Sequence, residues 1–118
     1  MIIFKIPKNS HLIHWTKHAK MKMQQYGLSE KRILRIIKNP KRKEEGIAPG
    51  TIAVMQNYGT KKHQKEIWVM YQIISQRSKC KMQKVKIISA WRYPGKSPIG
   101  KPPQIPEDTL KELENLTV

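Results

Sequence analysis

Two amphipathic stretches carry the clearest pattern in this chain. From Lys17 to about Tyr26, Ala19, Met23 and Tyr26 recur at i, i+4 and i+7, the spacing of one helix face. Thr16 stands where an N-cap is needed, and Gly27 is placed to end the helix in a left-handed conformation. Ser29 caps a second predicted helix with Ile33, Leu34, Ile36 and Ile37 on its apolar side. Lys31, Arg32, Arg35 and Lys38 lie elsewhere around that helix, and Asn39-Pro40 stops it. Upstream, Ile2 to Ile6 has strand composition, Pro7 to Ser10 reads as a turn, and Leu12 to Trp15 as a second extended piece.

After Pro40 the period changes. Lys41 to Ile47, Thr51 to Tyr58, Glu66 to Ile74 and Lys84 to Tyr93 read as extended segments, separated by an Ala48-Pro49-Gly50 turn and a basic Gly59 to Lys65 loop. Links this short favour an antiparallel meander, because parallel pairing requires longer crossovers. The expected fold is therefore α+β: two N-terminal helices covering one face of an antiparallel sheet of about four strands. From Pro94 the chain turns Pro- and Gly-rich and loses any core pattern, which sets the expected division at residues 1–94 for the compact domain and 95–118 for a linker and C-terminal segment. Pro106 to Leu116 reads as a short terminal helix, with Leu110, Leu113 and Leu116 three apart.

Charge adds a partner to this outline. The 118 residues include 24 Lys and Arg against 8 Asp and Glu, a formal net charge of +16. Such an excess points to a polyanion, and nucleic acid fits best, since cations replacing condensed counterions on phosphates gain affinity by counterion release. The charge is divided: residues 107 to 118 sum to −3, leaving +19 before them. The acidic tail is thus expected either to fold back over the basic domain and compete with nucleic acid, or to stay solvated. No apolar run approaches the ~20 residues that span a bilayer, and the opening apolar stretch is too short for a signal peptide, so a cytoplasmic protein without a membrane partner is expected. The lone Cys80 excludes an intrachain disulfide; its basic neighbours could activate it, but a loop cysteine without catalytic role is the plainer reading.

Three places could carry chemistry. His11, His14 and His18 are spaced H-x2-H-x3-H, yet only His18 falls on regular helix and no carboxylate lies nearby, so no metal and no other cofactor is expected. His18 by itself, in the first turn of a basic helix, feels a dipole that favours neutral imidazole, the form a general base needs; a surface or helix-contact histidine is the structural alternative. Arg42 and Glu44 alternate onto one side of a strand, a phosphate clamp plus base or else charges that protect a sheet edge. In Ser89 to Pro94, Ser89, Trp91 and Tyr93 share one face while Arg92 lies on the other with Ile88 and Ala90, unless a bulge near Pro94 re-aims it. Arg92 between aromatics could hold a phosphate beside an unstacked base, although packing is the commoner use of such aromatics.

Together, His18-Ala19, Met23, Tyr26-Gly27-Leu28-Ser29, the apolar Ile33, Ile36 and Ile37, and Asn39-Pro40 resemble an uncharacterised domain family. That family is grouped with RelE-like and BrnT-like toxin ribonucleases, in a wider set that includes barnase and colicin ribonucleases. The resemblance spans about Trp15 to Tyr93. It implies a RelE-like helical hairpin packed on a curved antiparallel sheet, metal-independent RNA cleavage and often inhibition by a cognate antitoxin, with His18 matching the recurrent histidine and Arg92 a basic residue common near the last strand's end. Tyr26 stands where an Arg is usual, and the Pro-rich tail is longer than expected.

The resulting expectation is a toxin-like, metal-independent endoribonuclease. His18 would be its acid or base, Arg92 and Arg42 would stabilise the phosphorane, and Glu44 or Tyr93 would be the second proton-transfer group. Lys17, Lys20, Lys41, Lys43, Lys61, Lys62 and Trp91 would contact RNA, and the further partners would be an acidic antitoxin and the ribosome. The alternative is a non-catalytic RNA- or DNA-binding module of a phage, plasmid or ribosome-associated complex.

Overall fold

The computed structural model describes residues 13–45, 50–76, 83–95 and 105–116. The expected Ile2 to Ile6 strand, His11, Cys80 and most of the Pro-rich stretch lie outside these residues. In chain order the elements are β1 (Ile13–Trp15), α1 (Lys17–Tyr26), α2 (Glu30–Lys38), β2 (Arg42–Glu45), β3 (Thr51–Gly59), β4 (Gln64–Gln76), β5 (Gln83–Tyr93) and α3 (Glu107–Leu116). No described helix is long and apolar enough to cross a membrane.

The helix punctuation works as the residue types require. Thr16 Oγ1 accepts from the Ala19 N–H at the start of α1, and Gly27 ends it at φ 66°, a left-handed value that costs glycine nothing. Ser29 Oγ accepts from the Arg32 N–H at the start of α2, and Asn39-Pro40 follows its last residue.

The sheet has five strands in the order β1-β5-β4-β3-β2. From β2 to β5 it is the expected antiparallel meander. The correction is at the far edge, where the three-residue β1 pairs parallel to β5 and makes the sheet mixed, with five strands rather than about four. A short connection dictates antiparallel pairing only between strands it joins, and β1 and β5 are separated by most of the chain.

Alternation along the strands sends side chains into two cores, one on each face. Ile67, Val69 and Tyr71 of β4 and Val54 of β3 meet Ala19, Met23, Leu28, Ile33 and Ile36 of the helical hairpin. On the opposite face Trp68, Met70, Ala53, Met55 and Trp91 meet Ile105 and Leu113. Burial on both sides explains why Ile67 to Tyr71 reads as one continuous apolar run rather than an alternating one. Helix placement therefore differs from expectation: α1 and α2 cover one face as predicted, and α3 docks on the other.

One irregularity sets the phase of the last strand. Tyr71 is paired with Ile87 and Met70 with Ser89, so Ile88 is an extra residue, a bulge in β5. Ile87 thereby enters the first core and Ile88 the second, both fully buried. The bulge is held from outside the strand by Thr16. Its hydroxyl lies 2.9 Å from the Ile87 carbonyl oxygen and 3.2 Å from that of Ile88, while its backbone N–H donates to Ile87 at 3.2 Å.

Replacing Thr16 by Val keeps the shape but removes both the helix cap and the clamp on the bulge. Urea unfolding should show a loss of about 1–2 kcal/mol, and Thr16→Ser should retain most of the stability. Equal stability of the Val variant and the parent would show that the clamp contributes nothing.

Candidate functional site

Along α1, His18 and Lys22 are one turn apart on the same face, and α3 lies against both. Lys22 is 2% exposed, and its ammonium donates to Asp108 Oδ2 at 3.0 Å and Oδ1 at 3.2 Å. Its charge also sits 5.0 Å from the centre of the Tyr26 ring. A cation withdrawn this far from water requires an anion, and α3 brings one. His18 Nε2 lies 3.2 Å from Thr109 Oγ1, which in turn is 2.8 Å from Ser89 Oγ. All three side chains are buried. The chain of contacts is satisfied when a neutral His18 carries its proton on Nδ1 and accepts from Thr109, which accepts from Ser89.

Burial is the main force holding the His18 imidazole below its usual 6.5, with the Lys22 charge adding to it and Asp108 and Glu112 opposing it. At Asp108, burial alone would favour the protonated acid. The hydrogen bond and charge of Lys22 outweigh it, helped by the His18 charge and the Thr109 backbone hydrogen bond, and the pKa falls below 3.8. The site thus pairs a neutral imidazole with a buried ammonium and a buried hydroxyl, the elements of a proton acceptor beside an anion holder.

Arg92 is elsewhere. It lies on the α1–α2 side of the sheet with Ala90, as alternation predicts, but Ile88 departs to the other face because of the bulge. Its Nε donates to the Tyr26 carbonyl at 2.9 Å, and its guanidinium sits 4.8 Å from the Tyr58 ring centre. No basic residue occupies the last turn of α1, so Arg92 supplies the cation that this helix end lacks. Tyr26 is eight residues beyond His18, roughly 12 Å along the helix. His18 and Arg92 are therefore not brought into one site, and the expected partnership between them is corrected.

Arg42 and Glu44 do share a face, as alternation required, with Arg42 Nη2 donating to Glu44 Oε1 at 3.1 Å. Arg42 also lies 3.8 Å from Glu66 Oε2 and 5.2 Å from the centre of the Trp68 ring, while Glu66 Oε1 accepts from Trp68 Nε1 at 2.9 Å. Arg42 is thus already engaged by two carboxylates, which would compete with a phosphate for its charge and argue against a phosphate clamp. It instead satisfies polar groups at the border of the second core, where Glu66 is 2% exposed. Glu66 was missed as a site because in sequence it is simply one more strand residue.

Tyr93 is opposite Glu66 on β4 and four residues past Ser89, roughly 13 Å along the strand, away from His18. Trp91 is 1% exposed and packs in the second core, so its ring presents no free face to a base; its Nε1 has no hydrogen-bond partner among the described residues. Lys17, Lys41, Lys43, Lys61 and Lys62 are exposed and Lys20 half-exposed, as contacts to a polyanion require. His14 is in β1, and among the described residues no three His, Cys, Asp or Glu side chains form a metal-binding group. Sequence reasoning found His18 but missed Lys22, Ser89 and Thr109. The only available signal was the i, i+4 relation of His18 and Lys22.

The shifts at His18 and Asp108 act in one direction. Unfolded His18 takes up its proton near pH 6.5 while the folded one resists, so its contribution is intact above 6.5 and declines as pH falls below it. The contribution of Asp108 is present above pH 3.8 and is lost as pH falls through its lower folded value. Melting temperature should therefore drop between pH 7.5 and 5.5, and less so in His18→Gln. Identical slopes for the two proteins would contradict the assignment of that drop to His18.

The chain matches no protein-family model, no curated protein and no solved structure.

Proposed function

We propose that this protein is a metal-independent endoribonuclease of the RelE-like and BrnT-like toxin kind, with its chemistry at His18 and Lys22. The observation that carries this reading is the pair itself: a buried neutral imidazole and a buried ammonium one turn apart on one helix face, in a chain of charge +16. His18 Nε2 would take the 2′-hydroxyl proton and the 2′-oxygen would attack phosphorus. The bond to the 5′-oxygen would break, leaving a 2′,3′-cyclic phosphate, while water protonates the departing oxygen. Lys22 would balance charge on the phosphorane, and Ser89 would orient the incoming hydroxyl. In this assignment Arg92 and Arg42 are structural. The exposed lysines hold the RNA, and the same basic surface suits an acidic antitoxin or ribosomal RNA.

A second reading is favoured by the closure of His18 beneath α3: a module that binds RNA or DNA through its lysines and performs no chemistry.

RNA incubated with the protein in EDTA separates the two. Wild type should cleave, while His18→Ala and Lys22→Met should lose activity by about 10²-fold or more. Glu44→Gln should cleave like wild type. No cleavage by wild type, with salt-sensitive binding, would establish the module instead.

A further inference from the structure

We propose that Asp108 and Thr109 mimic the substrate: the carboxylate stands for an RNA phosphate, the adjacent hydroxyl for a ribose 2′-hydroxyl, and α3 keeps the site occupied until RNA replaces it. This rests on the reading of His18 and Lys22 as an RNA site and adds to it the ligand's chemistry and a regulatory element.

The contacts support the comparison group by group. Two carboxylate oxygens approach the Lys22 ammonium at 3.0 and 3.2 Å, as two non-bridging oxygens of a phosphodiester could. One residue on, the Thr109 hydroxyl lies between His18 Nε2 and Ser89 Oγ, where a 2′-hydroxyl must be for the imidazole to accept its proton. An anion with a neighbouring hydroxyl is what RNA offers and DNA does not.

Exposure is uneven across the contact. Lys22 is 2% exposed and the Asp108 side chain 45%, so the cation belongs to the body of the fold and the anion to a covering piece. Among the residues of α3 whose burial is described, Leu113 alone is a buried apolar side chain. Ile105 and Leu113 enter the second core, whereas Leu110 stays 37% exposed. Charge completes the picture: the tail is −3 and the remainder +19, so a polyanion competes for the field that holds α3.

The test uses the full-length chain and ribonucleoside 3′-monophosphates, which carry a phosphate and a 2′-hydroxyl but have no 5′-linked bond to cleave. Binding is followed by the His18 imidazole resonances and compared with the 2′-deoxy compounds. Asp108→Asn should tighten binding of the ribonucleotides by about fivefold or more. Glu107→Gln removes the same charge from α3 without touching Lys22 and should change affinity much less, and adding Lys22→Met to Asp108→Asn should abolish the gain. The 2′-deoxy compounds should bind the Asp108→Asn protein several-fold more weakly than the ribonucleotides. Equal effects of Asp108→Asn and Glu107→Gln, or equal affinity for ribo and deoxy compounds, would overturn the mimicry. Tighter ribonucleotide binding in a protein that never cleaves RNA would overturn the ribonuclease reading and leave the mimicry standing.

Discussion

The clamp between Thr16 and the bulge in β5 is the contact on which the rest of the arrangement depends. A regular β5 with Ile87 in the first core would send Ser89, Trp91 and Tyr93 to the same side. The extra residue at Ile88 reverses that phase, giving Trp91 to the second core and Ser89 to the face where α3 docks. Thr16 also fixes where α1 begins, and hence where His18 falls relative to Ser89. One hydroxyl therefore sets both sides of the site, the helix that carries the imidazole and the strand that carries the serine.

A second constraint follows from burying Lys22. An ammonium at 2% exposure is tolerable only with an anion in contact, so the fold without α3 would be incomplete at this point. Apolar docking alone would make α3 indifferent to what surrounds it. Docking through a cation, an imidazole and a hydroxyl instead makes it answerable to other ligands that present the same groups. The Arg42 cluster shows the contrast. There a cation lies between two carboxylates of the body itself, with Glu66 buried and Arg42 and Glu44 largely so.

The helical hairpin was legible because its signals are local. Thr16, Gly27, Ser29 and Asn39-Pro40 act within a few residues, and the apolar spacing of each helix is its own evidence. The antiparallel order of β2 to β5 followed from short links for the same reason. What escaped was non-local: the parallel pairing of Ile13–Trp15 with β5, the face of the sheet that α3 covers when it folds back, and the bulge. Ile87-Ile88 reads as an ordinary strand pair until two opposed cores each require one of them. His18 could be singled out from its helix position, but its neighbours Thr109 and Ser89 are 91 and 71 residues away. Arg92 was drawn toward His18 by resemblance, whereas the end of α1, which has no basic residue in its own last turn, had the stronger physical claim.

In the proposed site, proton and polyanion would act on the same pair, His18 and Lys22, and this sets opposite demands on it. Acid charges His18 against its burial, a cost that Asp108 and Glu112 of α3 partly offset, and a charged imidazole beside Lys22 would attract phosphate more strongly. Binding would therefore gain as pH falls. Cleavage needs the reverse, since only neutral imidazole can accept the 2′-hydroxyl proton. Burial under α3 keeps His18 neutral, but in the proposed exchange that burial would be lost as RNA took the place of α3, and the incoming phosphate would raise the tendency of the imidazole to protonate. Lys22 offsets this effect. Its charge, one turn away, opposes protonation of His18 and in the proposed site would also neutralise the phosphate, which would offset the cost of burying a lysine at this position.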